Sequence, residues 1–215
     1  MALSVLLLTA ASASDAHGRH KASANCLSPH SRLLLADAQA MVHVKQSALG
    51  NEQVVFGCAF RRPGVYRLGG VAQCGGGGSG CSGINEERLA GTMIAFQTIA
   101  SASGESGTAP RYGIAVRDLL SGHVIHSAGT GTPARVFPEQ LGIGLAEGLV
   151  LNSGGDVAWI ARGKPEDGPD QVHAVNRSGD RMLAEGQDIE PGSIALAGTT
   201  LYWTQGGRPA SAPLS

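Results

Sequence analysis

The sequence predicts an all-β fold built from about four repeated antiparallel units. Three observations carry that prediction. Glycine is abundant, 32 in 215 residues, and aromatic residues make up only 4%, a composition suited to many tight turns. Short apolar or alternating runs are broken throughout by Gly, Ser, Asp and Pro, the pattern of strands and turns. The same pair of runs then recurs four times along the chain.

The elements follow in chain order. The start, MALSVLLLTAASASDAHGRH, has an apolar stretch from Ala2 to Ala11 that gives way to small residues. That is the form of a secretory signal peptide, expected over residues 1–14. The stretch is too short to span a bilayer. The mature chain is therefore expected to be secreted or extracytoplasmic, with no membrane insertion after signal removal. A polar segment is expected over 15–28, and a single repeat domain over 29–215. Four cysteines, Cys26, Cys58, Cys74 and Cys81, suggest two disulfides in an oxidising compartment. Three pairings are open. The favoured one joins Cys26 to Cys58, pinning the polar segment, and Cys74 to Cys81, closing CGGGGSGC, whose glycines accept the positive φ of a small ring. Zinc is the weaker reading, because no Cys-x-x-Cys pair occurs.

The repeated pair appears as RLLLADAQAMVHV (32–44), ERLAGTMIAFQ (87–97), GLVLNSGGDVAWI (148–160) and SIALAGTTLYW (193–203). Each is an apolar run, a small polar turn and a second apolar run. The second run carries Phe96, Trp159 or Trp203 at a matching place, and His43 in the first copy. Further strands follow each pair: EQVVFGCAF or GVYRLGG, then RYGIAVRDLLSGHVIH, DQVHAVNRSGDRMLAEG and RPASAPL. Asp118 to Gly122 and Asn176 to Gly179 read as tight turns, with Asp or Asn bonding its own backbone and Gly closing the turn. Residues 139–151, EQLGIGLAEGLVL, have helix-friendly ends, but Gly142, Gly144 and Gly148 weaken a helix. The mean unit is about 47 residues, within the range of a four-stranded propeller blade. The fold class is thus a β-propeller-like repeat with about four blades, open or incomplete, with a β-sandwich as the alternative. Closing the ring would require an N-terminal strand over 31–37 to complete the last blade, since an open edge invites aggregation.

The LAGT-LYW pair and the VAWI and VHAVNRSGD strands with their turn resemble bacterial secreted propeller-like proteins of the WD40-like and TolB-like kind. The resemblance covers most of the mature chain and implies a fold, bacterial origin and secretion. It implies no particular activity. The Trp-Asp and Gly-His signatures of WD40 repeats are absent from the sequence.

Candidate sites fail on spacing. CGGGGSGC lacks the Lys that a phosphate-binding loop needs after its glycines. Ser79 and Ser82 do not sit in Gly-x-Ser-x-Gly. His123 and His126 lie three apart, so a strand would face them to opposite sides. His173 lies on an apolar strand and is expected half-buried. Glu166, Asp167 and Asp170 are too few for a calcium loop, and Asp15-Ala16-His17 would bind copper only as a new N-terminus. Asn176-Arg177-Ser178 is formally a glycosylation sequon but reads as turn chemistry. The few aromatics, Phe96, Trp159, Tyr202 and Trp203, are assigned to the core, which lowers a sugar-binding reading. With a net charge of −1, no basic face for nucleic acid is expected. The expectation is a non-catalytic binding scaffold with no cofactor and no metal. It would present loops 74–86, 98–111 and 163–171 to a protein or cell-envelope partner. A hydrolase or lyase gathering its residues on the axis is the second reading, recognisable by carboxylates or histidines of shifted pKa there.

Overall fold

The computed structural model describes residues 26–48, 50, 52–62, 64–74, 81–100, 111–130, 145–163 and 168–215. The expected signal peptide and all but residues 26–28 of the polar segment lie outside the described residues.

Alternating runs and turns resolve into four successive antiparallel sheets. The first holds β1 (Ser31–Ala36), β2 (Ala40–Gln46), β3 (Gln53–Ala59) and β4 (Val65–Gly70) in that order. The second holds β5 (Gln73–Cys74), β6 (Cys81–Ala90), β7 (Met93–Ala100), β8 (Arg111–Asp118) and β9 (Val124–Gly129). The third holds β10 (Leu145–Leu151), β11 (Val157–Arg162), β12 (Asp170–Asn176) and β13 (Gly179–Gly186). The fourth holds β14 (Ala195–Ala197), β15 (Thr200–Gln205) and β16 (Arg208–Pro213). This is an open, propeller-like array, not the two facing sheets of a sandwich.

The turns form by the chemistry their residues offer. Asp118 accepts from the Leu120 N–H and the Ser121 hydroxyl, each at 2.9 Å, and Gly122 takes φ 76°. Burial pushes the Asp118 carboxyl up, but the donated hydrogen bonds outweigh it and hold the group below its ordinary pKa. Asn176 accepts from the Ser178 N–H at 2.8 Å, and Gly179 follows at φ 108°.

Three cores, one between each pair of neighbouring sheets, hold the array together. The first joins Val42, Val44 and Val55 to Ile84, Ile94, Phe96 and Leu119. The second joins Ala95, Ile114 and Val116 to Leu149, Val157, Trp159 and Val175. The third joins Ala158, Ile160, Val172 and Ala174 to Ile194, Leu201, Trp203 and Leu214. Strand alternation explains the sharing: Ala158 and Ile160 face forward while Val157 and Trp159 face back. Each fully buried aliphatic side chain contributes about 1.5–3 kcal/mol, so every joint rests on many such terms. His43, Phe96, Trp159 and Trp203, the four matching positions, all lie on the second main strand of their sheet and all are buried.

The repeat extends to backbone detail. In β6 the register slips between Asn85 and Arg88, and in β10 between Glu147 and Val150. Each slip inserts one residue opposite the same part of the second strand. The inserted turn uses a left-handed residue in both, Glu86 at φ 53° and Gly148 at φ 73°.

Four expectations are corrected. Residues 31–36 do not complete the last sheet, because β1 pairs with β2. Among the described residues the fourth sheet has three strands, and its edge is guarded. The two-residue turn Gly206-Gly207 fixes the β15–β16 register, so Pro209, Ser211 and Pro213 turn their backbone outward. Two of those three are prolines with no N–H to donate. The outward Pro213 carbonyl is already taken by the Arg181 guanidinium at 2.7 Å. Second, the stretch 74–86 is not a loop throughout: Cys74 ends β5 and β6 already starts at Cys81, and β5, pairing with β6, gives the second sheet its fifth strand. Third, Tyr202 leaves the core: it is 43% exposed, while its neighbour Trp203 is 6% exposed. Fourth, His173 is buried, not half-buried. Within 139–151, residues 145–151 form strand β10 and 139–144 lie outside the described residues.

Cys26 and Cys58 are joined by a buried disulfide, their Cα atoms 5.7 Å apart. The backbone places Cys74 directly opposite Cys81 in the β5–β6 register. No helix among the described residues is long and apolar enough to cross a membrane.

Candidate functional site

Antiparallel order sorts the connections to two ends of the array. First-to-second and third-to-fourth strand turns lie at one end, and they are short and tied together. Asp37 accepts from the Gly91 N–H at 2.6 Å, linking the first sheet to the second. Tyr66 packs against Gly122, and Ile125 against Gly155. The second-to-third connections and the crossings between sheets leave at the other end. The connections within all three expected recognition loops, between β5 and β6, β7 and β8, and β11 and β12, start and finish there. Their central parts, 75–80, 101–110 and 164–167, lie outside the described residues.

The described part of that end contains a cleft of about 300 Å³ where the first sheet crosses into the second. It is lined by Glu52, Gly70, Val71, Gln73, Ser82 and Gly83. Glycine shapes it: a Cβ on Gly70 would collide with the Glu52 carboxylate, and Gly83 sits at φ 131° against the Ala72 backbone. The crossing itself is held by the Ala72 N–H donating to the Ile84 carbonyl at 3.0 Å. The Glu52 carboxylate pairs with Arg67 at 3.3 Å, and both are exposed. One carboxylate already neutralised, one amide, one hydroxyl and backbone groups make a set for hydrogen-bonded recognition. Among these lining residues Ser82 has no histidine or second acid to activate it.

The first strands of successive sheets lie side by side around the axis. They expose Leu33, Leu145, Arg32 and Arg88, with Glu86, Glu87 and Glu147 half-buried beside them. Glu86 pairs with Arg88 at 3.2 Å and Glu147 with Arg162 at 2.8 Å. The described axial strands carry no histidine. The axial surface is thus a mixture of leucines and arginine–glutamate pairs.

The histidines with shifted pKa lie elsewhere, inside sheets. His173 stacks on Trp159 with ring centroids 5.4 Å apart, 3.0 Å from Gln171 Oε1 and 3.5 Å from Asp180 Oδ1. Burial lowers its pKa, with Asp180 and Glu185 pulling the other way. His43 stacks on Phe56 at 5.6 Å, and burial, then the charge of Lys45, lowers its pKa. The two pairs occupy the same two strands of their sheets with ring types exchanged: histidine then phenylalanine in the first, tryptophan then histidine in the third. Sequence reasoning singled out Trp159, His43 and His173 but neither Phe56 nor the two stacked pairings, because pairing across strands needs the register. His123 precedes β9 and His126 lies within it, so they form no pair. Asp170 accepts from the Gly163 N–H at 2.8 Å, a loop-closing bond; Glu166 and Asp167 lie outside the described residues, as does Asp15-Ala16-His17. Among the described residues no group of three His, Cys, Asp or Glu could hold a metal.

No family model and no curated protein matches the chain. Among solved structures, Pyrococcus horikoshii acylaminoacyl peptidase in an orthorhombic crystal form is similar over 81% of this chain and 36% of its own, at 8% identity and TM-score 0.39. The uncomplexed form of that peptidase is similar over 80% and 35%, at 8% identity and TM-score 0.37. The β-propeller domain of the Trilobed protease from Pyrococcus furiosus, which has an open velcro topology, is similar over 82% and 79%, at 10% identity and TM-score 0.23. The chain spans about a third of the peptidase's length. These likenesses are weak and carry no argument about activity.

Proposed function

We propose that the protein is an extracytoplasmic, non-catalytic binding module of bacterial origin, whose loop-bearing end receives a protein or cell-envelope partner. The observation that carries this reading is the asymmetry of the two ends. One end is tied by short turns and inter-sheet bonds such as Asp37 to Gly91. The other gathers the long connections and the cleft of Glu52, Gln73 and Ser82. A rigid scaffold with variable-length connections at one end is how such folds present recognition surfaces. The buried Cys26–Cys58 disulfide supports an oxidising compartment. The test is a pull-down from bacterial cell envelope with the mature protein, repeated with the Gln73→Ala/Ser82→Ala double variant. Recovery of one partner that the double variant loses supports the reading. No partner, together with turnover on a hydrolase substrate panel, overturns it.

A further inference from the structure

We propose that Cys74 and Cys81 form a redox clasp on the cleft of the loop-bearing end. Joined as a disulfide they hold its Gln73 and Ser82 walls together, and a dithiol reductant releases them. Gln73 lies directly opposite Ser82, and Cys74 directly opposite Cys81, in the two-residue pairing of β5 with β6. Directly opposite residues of an antiparallel pair have Cα atoms about 4.5 or 5.5 Å apart, inside the ~4.4–6.8 Å that a disulfide spans. The two cysteines are thus the next step of the ladder from two residues that line the cleft. The consequence for binding rests on the proposed role of that cleft; the clasp itself does not.

The pairing has little other support among the described residues. One step back along the chain, the Ala72 N–H donates to the Ile84 carbonyl at 3.0 Å. Ile84 belongs to the first core, and Val71 packs against it. Apolar anchoring stops there: Gln73 and Ser82 are exposed, and Gly83 has no side chain to pack. Six residues separate the cysteines, and five of them are glycine, the residue that loses most backbone freedom on ordering. A ladder of two residues is too short to offset that cost alone. In the chain-entropy account, closing the ring of residues 74–81 favours the paired state by on the order of 50-fold. The other disulfide stands apart, because Cys26 and Cys58 are both buried away from a soluble dithiol. Release is thiol–disulfide exchange. The protein S–S bond takes up two electrons and two protons, leaving two thiols, and the dithiol closes to its own disulfide.

The test uses the full mature chain. Peptide mapping without reductant should find Cys74 joined to Cys81. Native protein treated with dilute dithiothreitol and then alkylated should be labelled at Cys74 and Cys81 before Cys26 or Cys58. Amide exchange followed by magnetic resonance should then speed up by about tenfold or more at Ala72. The neighbouring Val71 N–H donates to the Gln53 carbonyl of β3 at 2.7 Å, and its exchange should change by less than about threefold. The double variant Cys74→Ser/Cys81→Ser should exchange like the reduced protein, and it keeps the result readable if reduction also reaches Cys26–Cys58. Unchanged circular dichroism shows that the variant folds. Free thiols at Cys74 and Cys81 in the unreduced chain overturn the proposal. So does exchange at Ala72 that neither reduction nor the double variant moves. These measurements need no partner, so they stand even if the pull-down recovers none. Where it does recover one, the reduced chain should lose that partner, and its retention overturns redox control of the cleft.

Discussion

Replacing each tryptophan by phenylalanine should give two different answers from the same chemical change. Trp159 and Trp203 occupy matching positions on β11 and β15, and both are buried. Trp159 Nε1 donates to the Thr130 carbonyl at 2.8 Å, and Thr130 is itself buried. Trp203 Nε1 is buried with no acceptor. Loss of ring volume costs both about 1 kcal/mol, taking about 40 Å³ left empty at ~24 cal/mol per Å³. Trp159→Phe also orphans the Thr130 carbonyl, adding about 1–3 kcal/mol. Trp203→Phe instead removes an unmatched donor, which offsets the cavity. The expected losses are about 2–4 kcal/mol for Trp159→Phe and about 0–1 kcal/mol for Trp203→Phe. Urea unfolding by far-ultraviolet circular dichroism measures both, and the chain's two tryptophans leave one fluorescent reporter in each variant. Equal losses, or a larger loss at Trp203, would refute the reasoning, because the carbonyl bond would then carry none of the difference.

Four other outcomes are expected. The lowered pKa values of His43 and His173 mean the folded state resists a proton that the unfolded chain takes up near pH 6.5; stability is therefore full above about pH 6.5 and declines as pH falls through the lowered folded values, and His173→Gln should flatten that decline in urea melts. Gly148→Ala should destabilise by more than about 2 kcal/mol, since it strains a left-handed residue and sets a Cβ 2.7 Å from Ile194 Cγ2; Glu86→Gly at the equivalent bulge should stay within about 1 kcal/mol of the parent, relief of strain offsetting loss of an exposed ion pair. Cys26→Ser should cost about 3–4 kcal/mol by the loop it opens, the two cysteines being 32 residues apart, and thiol titration of the denatured chain should find no thiol before reduction and four after, given Cys74 opposite Cys81. The double change Pro209→Thr/Pro213→Thr should restore two outward N–H groups on β16 and produce concentration-dependent association in sizing chromatography, whereas a double variant as monodisperse as the parent would remove the proline explanation of the open edge.

What the sequence made legible was whatever depends on neighbours along the chain. Turns at Asp118 and Asn176 are local chemistry, and the structure builds them with the bonds their side chains offer. The buried row of His43, Phe96, Trp159 and Trp203 is legible because each sits in an apolar run at one place in a repeated unit. Pairings that join distant residues were not legible. Glu52, Gly70, Gln73 and Ser82 line one cleft but come from the β2–β3 connection and from three strands, β4, β5 and β6, and the only local signal of a close backbone approach there is the glycine at 69, 70 and 83. The fifth strand of the second sheet is two residues long, too short for any periodicity to announce it.

Tyr202 and Trp203 show how the fourth sheet differs from the third. Adjacent residues on a strand face opposite sides, so one of the two had to point forward and the other back. Ala158 beside Trp159 also points forward, yet it is buried, because a fourth sheet stands in front of it. Tyr202 holds the same place as Ala158 and is exposed. An interior unit can take a small alanine there because the next sheet presses close. Among the described residues no sheet stands in front of Tyr202, and a large amphipathic ring at that place is tolerable where a leucine would be a liability. The residue type that spoils the repeat is thus explained by its position in the array.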